Sequence, residues 1–572
     1  MNNFLTLLCS PRIRISVLLT VSVLTILFCF LNLPIVYVGL IELVALAGCI
    51  VFFYKVDVTK FELFQYKPHW FWRICEWYWG LWMCINSPLI LYLKFAYPSL
   101  ETVNIKNHFN ENIFQSFGWI LDNLLYLIVV LTALPLFLFV CRYFLRMLAQ
   151  FFENLSNKER LYLFVSTVTL LIILLEVSSN TSFFVYPVSY ETYLSEDCDG
   201  IHYKYLGNGD HFMNSDTGLF LSYQYYRYGG DCFRHPYFTK VMFPFFALFD
   251  VLSAFYHIFY SSCAYSYALS ISTTQIVLYV LSGALLGRLF KFAVFSEILQ
   301  MIYIASFPFV FVLCPERLIF SSFFLILAIY ITFTSSDFIK NLIPMIAAIG
   351  TTSLSLFPIA FAQFLNKKIL YIIFILFPIG VLLLIFTDIR SSLGSENEKN
   401  YTNQYINYCR LMDSCYFVPK WETYENNNEI LTLEDGSKVQ RAPNLFIRTN
   451  ENQYVKGLIS GITIFLLCIT GGLLFIREKI VMTSLFWFAV SFGIVGVIGF
   501  GSQECVLFCS YFSWAVIPLS LLPFYWLWQK FPRLPIPQAL YIFAAYLAIS
   551  NLYFIYQVVQ IVSERYIVPP GM

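Results

Sequence analysis

The chain of 572 residues is 59% hydrophobic, 20% aromatic and only 12% charged, with a formal net charge of +1. Soluble domains carry about 25% charged residues because a solvated surface needs them, so this composition, with a mean hydropathy of +0.70, excludes a soluble globule and predicts an integral membrane protein. The near-zero net charge gives no electrostatic case for a nucleic-acid partner.

Apolar runs of about 18 residues or more are long enough to cross the hydrocarbon core as helices. Strong candidates lie near 16–33, 35–54, 118–141, 161–178, 266–287, 293–313, 318–334, 369–387, 457–476, 480–500, 508–527 and 538–558. A weaker candidate covers 75–97. Segments 238–262 and 341–365 are compatible with spanning, with entering and returning, or with lying along the surface.

Lys and Arg in short loops favour the cytoplasmic side, and this rule sets the orientation. Arg12 and Arg14 precede the first apolar run, which we interpret as a retained signal anchor. Placing the later basic clusters inside gives about thirteen crossings and leaves two long polar loops, 179–237 and 388–456, outside. We therefore expect an all-α, polytopic transmembrane helical bundle with two long extracytoplasmic loops.

The same bookkeeping assigns the ambiguous segments. One crossing separates Tyr237 from Arg288, so 266–287 crosses and 238–262 becomes an outer-face or re-entrant helix. The turn Pro315-Glu316-Arg317 is expected to emerge outside. Because basic residues precede and follow 341–365, that segment should enter and return, as two short helices around Thr351-Thr352-Ser353.

Four parts of the chain follow from this topology. Residues 1–160 are N-terminal transmembrane helices, 161–387 form a membrane core with the outer loop 179–237, 388–456 is an outer loop or lid, and 457–572 are C-terminal transmembrane helices. Most cysteines fall in apolar runs and are small buried hydrophobes. Those in the outer loops are candidates for disulfides whose pairing the sequence leaves open: Cys198, Cys232, Cys409 and Cys415.

Short motifs in these loops resemble the GT-C superfamily of membrane glycosyltransferases, which take a sugar from a polyprenyl-phosphate donor. Asn214–Phe220 resembles its acidic motif, and Arg234–Phe238 resembles its His-Pro-aromatic helix entry. Pro315-Glu316-Arg317 is similar to its Pro-Glu turn, and Tyr511-Phe512-Ser513 to a late aromatic turn. The resemblance covers about 160–340, extends loosely over 480–527 and does not include the first 150 residues.

The resemblance implies a catalytic Asp in the first outer loop. Glycosyl transfer needs a base for the acceptor proton, and a partly desolvated carboxylate has a raised pKa suited to that task. We expect Asp216 to be this base. Asp210 is the second candidate, either as a partner carboxylate or as a metal ligand. The sequence leaves open whether Asp210 and Asp216 hold a divalent cation, Mg²⁺ or Mn²⁺.

Several residues are candidates for substrate binding. Arg234 or Arg317 would hold the departing polyprenyl phosphate, because a guanidinium matches phosphate oxygens. His235 would do the same or orient the base, and Glu316 and Tyr223 complete the set. Each has a structural alternative: a loop Asp is often only solvated, Arg234 can reach lipid headgroups, Glu316 and Arg317 can mark a helix end, and Tyr223 can pack at the interface.

The favoured function is a glycosyltransferase of the cell envelope in a bacterial inner membrane, with a lipid-linked donor and a lipid-linked glycan, lipid or protein as acceptor. A surface-polysaccharide polymerase or ligase is the first alternative, because 388–456 holds Arg410, Arg441 and Arg448. A transporter or flippase is the second, and it predicts paired charges or broken helices near the bilayer midplane. A non-catalytic membrane scaffold is the third.

Overall fold

A computed structural model of the chain describes residues 153–180, 238–259, 263–291, 294–335, 338–367, 454–497 and 505–565, with a few short stretches between 372 and 440. The chain divides into two compact units. One comprises 1–157 with 337–339, of which the structure describes 153–157, 338 and 339. The other comprises 158–336 with 340–572, and it contains all the contacts described below.

The described residues are helical apart from one hairpin of two short strands. The helices are α1 (Asn157–Asn180), α2 (Phe238–His257), α3 (Cys263–Leu289), α4 (Val294–Ala305), α5 (Arg317–Thr334), α6 (Phe338–Thr351), α7 (Leu356–Leu365), α8 (Tyr454–Leu474), α9 (Lys479–Ser491), α10 (Cys505–Lys530) and α11 (Ile536–Arg565). The strands β1 (Ile430–Thr432) and β2 (Lys438–Gln440) pair antiparallel.

Six of these helices are long and apolar enough to cross a bilayer. Their candidate spans are Asn157–Ser178, Ala268–Leu289, Arg317–Thr334, Lys479–Val497, Phe508–Lys530 and Ile536–Gln557. The helical membrane class predicted from composition is confirmed at this level. The count of about thirteen crossings includes runs outside the described residues.

Positions along the bundle are described relative to helix α3, because its candidate span is 83% buried and other elements pack along it. The Tyr279 hydroxyl donates to the backbone oxygen of Tyr303 at 2.6 Å, and the Ser272 hydroxyl to that of Leu313 at 3.1 Å. Residues with higher numbers in α4 and in the segment after it therefore contact residues with lower numbers in α3. The 294–313 segment runs antiparallel to α3, starting beside its C-terminal end.

The predicted straight span 293–313 is in fact a broken helix. Helix α4 stops at Ala305, and a buried 3-10 helix, Phe307–Val312, continues after the N-cap Ser306. Pro308 lies in the first turn of that 3-10 helix, where it has no N–H to donate to the preceding α-helical turn and its ring would clash with it. Pro308 therefore explains why the α-helix ends here.

Segment 341–365 enters the bundle and returns, as predicted. Helix α6 ends at Thr351, a 3-10 turn follows at Ser353–Ser355, and α7 leads back. The Thr352 hydroxyl donates to the Ser321 hydroxyl of α5 at 2.7 Å, whereas Gln363 donates to Thr332 at 2.9 Å, eleven positions further along both helices. The tip of this hairpin therefore lies inside the bundle, beside the first turns of α5.

Basic residues gather where helices of the bundle start or end. Arg288 at the end of α3 forms an ion pair with Glu159 at the start of α1 (2.7 Å), and Lys158 forms one with Glu297 at the start of α4 (2.9 Å). Lys479 donates to Asn366 at 2.8 Å. We call this side the basic end; it carries Lys158, Arg160, Arg288, Lys291, Lys367, Arg477, Lys479, Lys530 and Arg533. The positive-inside rule predicts that this end faces the cytoplasm.

Helix α2 differs from its expected position on the outer face. It packs along α3, with the Tyr256 hydroxyl 2.6 Å from the Thr273 hydroxyl. The ring of Phe249 contacts Phe320 at 5.9 Å, and that of Phe245 contacts Phe324 at 5.7 Å, so α2 is antiparallel to α5. Phe238, Phe246 and Phe249 are buried among helices, whereas Phe255 is 55% exposed, so α2 is a member of the bundle through one of its faces.

Part of the predicted lid 388–456 packs into the bundle. Tyr408, Met412 and Tyr416, four residues apart, are each 2% exposed or less, and their helical backbone places them on one face. Phe417 accepts a hydrogen bond through its backbone oxygen from Asn551 of α11 at 2.9 Å. Cys409 carries a free thiol, and partial burial raises its pKa above the ordinary value.

Candidate functional site

Two of the predicted site residues, Glu316 and Arg317, lie within the described part of the chain. Both are buried, with exposed fractions of 0% and 6%. The remaining candidates lie outside the described residues: Asp210, Asp216, Tyr223, Arg234 and His235. The described site is therefore the one around the Pro-Glu turn.

The Pro-Glu turn packs beside α3 rather than beyond its end. The backbone of Glu316 pairs with Gln275, which follows Cys263 at the start of α3 by twelve residues and precedes Leu289 at its end by fourteen. At 1.5 Å per residue these distances are about 18 and 21 Å. Arg317 begins the candidate span Arg317–Thr334, so the turn lies at the end of that span opposite the basic end, and α3 extends past it.

The side chain of Gln275 holds the turn through two hydrogen bonds. Its amide nitrogen donates to the Glu316 backbone oxygen at 3.0 Å, and its amide oxygen accepts from the Glu316 backbone N–H at 3.2 Å. The carbonyl also accepts a longer bond, 3.4 Å, from the Ile319 N–H. One buried glutamine thus contributes a donor and an acceptor to the backbone groups of a single residue at a chain reversal.

Glu316 also begins helix α5. It is the N-cap, with an extended backbone, and its carboxylate accepts a hydrogen bond from the N–H of Leu318 at 3.2 Å. A carboxylate at this position offsets the positive end of the helix dipole. The structural alternative considered for Glu316, a helix end, is therefore its observed role.

Arg317 follows as the first residue of α5, in the same buried region. A guanidinium cannot lose its proton in a protein. Burying its charge in an apolar bundle costs free energy unless polar groups surround it. Intramembrane charges of this kind are functional candidates by default. Arg317 presents a fork of donors that suits a phosphate, beside the N-terminus of a helix, which also favours anions.

Buried hydroxyl groups from three helices lie next to the Pro-Glu turn. Besides the Ser321–Thr352 bond, the hydroxyls of Ser355 and Tyr511 are 2.6 Å apart and join the hairpin tip to α10. The ring of Trp487 on α9 packs edge-on against Tyr511 at 5.4 Å. We name as the polar layer the buried residues Gln275, Glu316, Arg317, Ser321, Thr352, Ser355 and Tyr511.

The polar layer joins two chain reversals to α10. The Pro-Glu turn and the tip between α6 and α7 lie there, with Tyr511 of the second turn of α10 bonded to the tip, whereas the other ends of these helices lie at the basic end. Both reversals interrupt what would be continuous helices in a simple bundle. Helices that stop inside a membrane protein expose backbone polar groups, which are tolerated only where protein or a water-filled cavity surrounds them.

Among the residues that the structure describes, no group of three His, Cys, Asp or Glu side chains is placed to hold a metal ion. The proposed ligands Asp210 and Asp216 lie outside those residues. The chemistry that the polar layer offers is hydrogen bonding from hydroxyls and an amide, together with one carboxylate and one guanidinium.

Sequence reasoning missed most of the polar layer. Gln275, Thr352, Ser355 and Tyr511 sit in apolar runs, and none was expected to meet Glu316 and Arg317. A usable signal was present for Gln275, because a glutamine inside a membrane run must find a partner for its amide. Tyr511 was noted only as part of an aromatic turn.

Comparison of the chain with protein-family models, with curated proteins and with solved structures gives no match.

Proposed function

We propose that the chain is a membrane glycosyltransferase of the GT-C type, which moves a sugar from a polyprenyl-phosphate donor to a lipid-linked glycan, lipid or protein acceptor. It would act on the extracytoplasmic face of a bacterial inner membrane. The single observation that carries this proposal is the polar layer, in which a buried arginine adjoins two chain reversals within an apolar bundle, at the end of α5 opposite the basic end.

A polyprenyl-phosphate sugar is amphiphilic, and this matches the layer. Its lipid tail belongs in the bilayer, whereas its phosphate needs donors that remain available away from water. Arg317 at the N-terminus of α5 supplies a permanent positive charge and a fork of N–H groups. The polar layer would thus take the phosphate, and the apolar helix surfaces around it the first isoprene units.

The chemistry follows the expected base mechanism. The acceptor oxygen attacks the anomeric carbon while Asp216 takes the acceptor proton, and the bond between that carbon and the phosphate oxygen breaks. The electron pair leaves with the polyprenyl phosphate, whose added charge Arg317 would stabilise. Asp210 would position Asp216 or raise its pKa as a second carboxylate.

The test uses the full chain reconstituted in liposomes with a radiolabelled polyprenyl-phosphate sugar and a mixture of lipid acceptors. Asp216→Asn should abolish transfer while donor binding remains, because only the proton acceptor is lost. Arg317→Lys should keep the charge, lose the fork and weaken both donor binding and transfer. Full activity of Asp216→Asn together with Asp210→Asn would refute the catalytic assignment.

A transporter or flippase of the same lipid-linked substrates is the second candidate, and one observation favours it. The interrupted helices at Pro308 and at Thr352 are the pattern by which such proteins build a site near the midplane. Liposomes loaded with a fluorescent lipid-linked sugar separate the two candidates. Movement of the label between leaflets without sugar transfer would select the flippase, and transfer without movement would select the enzyme.

A further inference from the structure

The turn between α10 and α11 carries two exposed cations on a fixed backbone. The N–H of Leu534 donates to the backbone oxygen of Phe531 at 3.0 Å, which closes a four-residue turn with Pro532 and Arg533 at its tip. Proline at the second position of such a turn fixes the backbone there. Lys530 ends α10 directly before the turn, and both Lys530 and Arg533 are exposed.

A third exposed cation reaches the same corner of the basic end from α8. The contact of Cys468 with Val516 is followed, further along both helices, by the contact of Phe475 with Tyr525. Helices α8 and α10 are therefore parallel, and their C-terminal ends lie side by side. Arg477 follows Phe475 by two residues and is exposed.

We name Arg477, Lys530 and Arg533 the cationic corner. None of the three forms an ion pair with a residue that the structure describes, whereas the ion pairs described at the basic end join α1 to α3 and α4. Glu478, beside Arg477 in the chain, is exposed and forms no ion pair with a described residue either. These two turns therefore carry a net positive charge.

Exposed apolar side chains alternate with these cations. The exposed fractions are 55% for Phe531, 45% for Leu534 and 43% for Ile476, and each residue directly precedes or follows a member of the cationic corner. The candidate span of α10 ends at Lys530, so the corner lies where headgroups meet acyl chains. At that level, basic side chains reach headgroups while apolar neighbours enter the hydrocarbon.

We propose that the cationic corner binds the headgroup of a negatively charged phospholipid, whose acyl chains lie against Phe531 and Leu534. The Arg533 guanidinium matches two phosphate oxygens, and Lys530 adds a point charge. An apolar protein segment over Phe531 and Leu534 would leave the cations uncompensated, and a dissolved anion would leave the apolar side chains uncovered. One amphiphile satisfies both. The proposal does not depend on the glycosyltransferase activity.

The experiment measures lipid binding to the purified full-length chain in detergent by native mass spectrometry. Phosphatidylglycerol is the anionic probe and phosphatidylcholine the zwitterionic one, and we expect phosphatidylglycerol to bind more tightly. Lys530→Gln/Arg533→Gln should weaken phosphatidylglycerol binding about twentyfold, because each basic residue at an anionic membrane surface contributes about fivefold. Phosphatidylcholine binding should stay the same.

Lys291→Gln/Lys367→Gln is the matched control. It removes the same charge from exposed residues of the basic end that lie outside the cationic corner, and it should bind phosphatidylglycerol like the unmodified chain. An equal loss in the two double variants would reduce the effect to the diffuse charge of the basic end and overturn the proposal. Equal binding of the two lipids by the unmodified chain would do the same.

Phe531→Ser/Leu534→Ser tests the apolar half of the site while every charge stays in place. This variant should bind phosphatidylglycerol more weakly, and inorganic phosphate should not displace the lipid from the unmodified chain. Unaltered lipid binding by the variant, or displacement by phosphate, would show that charge alone is recognised and would refute a lipid site. Thermal unfolding of each variant verifies the fold, which substitutions at exposed positions should leave unchanged.

Discussion

At the scale of single residues, Gln275 shows how a polar side chain becomes essential inside an apolar bundle. Its amide supplies both a donor and an acceptor to the backbone of Glu316, and that turn positions Arg317. The adjoining carboxylate caps α5 on its own account. The buried acid is thus explained by local structure, and Arg317 follows it as the first residue of α5.

Replacement of Gln275 by leucine should lower the free energy of unfolding, although the two side chains have similar volumes. The Glu316 N–H would lose its bond to the Gln275 amide oxygen, and the Glu316 carbonyl would keep the 3.4 Å bond from the Ile319 N–H but lose the shorter one from Gln275. An unsatisfied buried polar group costs about 1–3 kcal/mol. We expect a clearly lower midpoint of thermal unfolding in detergent for Gln275→Leu. Ser282→Ala is the control on the same helix, because the Ser282 hydroxyl donates only to the Leu278 carbonyl of its own helix. Equal midpoints for the two variants would contradict the assigned role of Gln275.

At the scale of elements, α8 and α10 pack unusually closely through a glycine. The two helices run parallel, with the Cys468 thiol donating to the Val516 carbonyl at 3.4 Å and the rings of Phe475 and Tyr525 5.8 Å apart. A Cβ on Gly471 would lie 2.1 Å from the backbone oxygen of Leu519. Small residues at such crossings let helix backbones approach in a membrane.

Gly471→Ala should therefore force α8 and α10 apart. The obstacle is backbone, which cannot rotate away as a side-chain end can, so we expect overpacking of about 1–3 kcal/mol and a lower unfolding midpoint. Gly493→Ala is the matched control, since a Cβ there meets nothing within 4 Å. A Gly471→Ala protein as stable as the Gly493→Ala protein would show that this crossing is looser than described.

The hairpin tip between α6 and α7 is anchored by one hydrogen bond to α10, and a double-mutant cycle can measure it. Ser355→Ala and Tyr511→Phe each leave a buried hydroxyl without its 2.6 Å partner, whereas the double variant removes both. We expect the double variant to lose less unfolding free energy than the sum of the two, by about 1 kcal/mol. Additive losses would mean that the two hydroxyls do not interact.

The elements that sequence predicted best are those whose ends carry charge. Segment 341–365 was expected to enter and return because basic residues flank both its ends, and the structure confirms this path. The packing of the Pro-Glu turn beside α3 escaped prediction, because hydropathy measures the length of an apolar run and does not show which helix lies beside its end. The pairing of Glu316 with Gln275, a contact distant in sequence, sets that position.

At the scale of the whole molecule, orientation follows from charge. The loops of the bundle at the basic end are short, and the ion pair of Arg288 with Glu159 joins α1 to α3 there. The other end receives the long polar segment that precedes α8, part of which packs against the end of α9 through Tyr408 and Ser491. The polar layer lies between these two ends.

Epitope tags provide a direct test of this orientation in intact cells. A tag inserted between Lys530 and Ile536, in the short turn from α10 to α11, should be reached by antibody only after the membrane is permeabilised. A tag inserted between Thr432 and Lys438, within the predicted outer loop 388–456, should be reached without permeabilisation, because Tyr408 of that loop contacts Ser491 at the end of α9 opposite the basic end. Thermal stability of both tagged proteins verifies folding. The reverse labelling pattern would place the basic end outside. Arg317 would then be reached from the cytoplasmic leaflet, where an extracytoplasmic glycosyltransferase has no substrate.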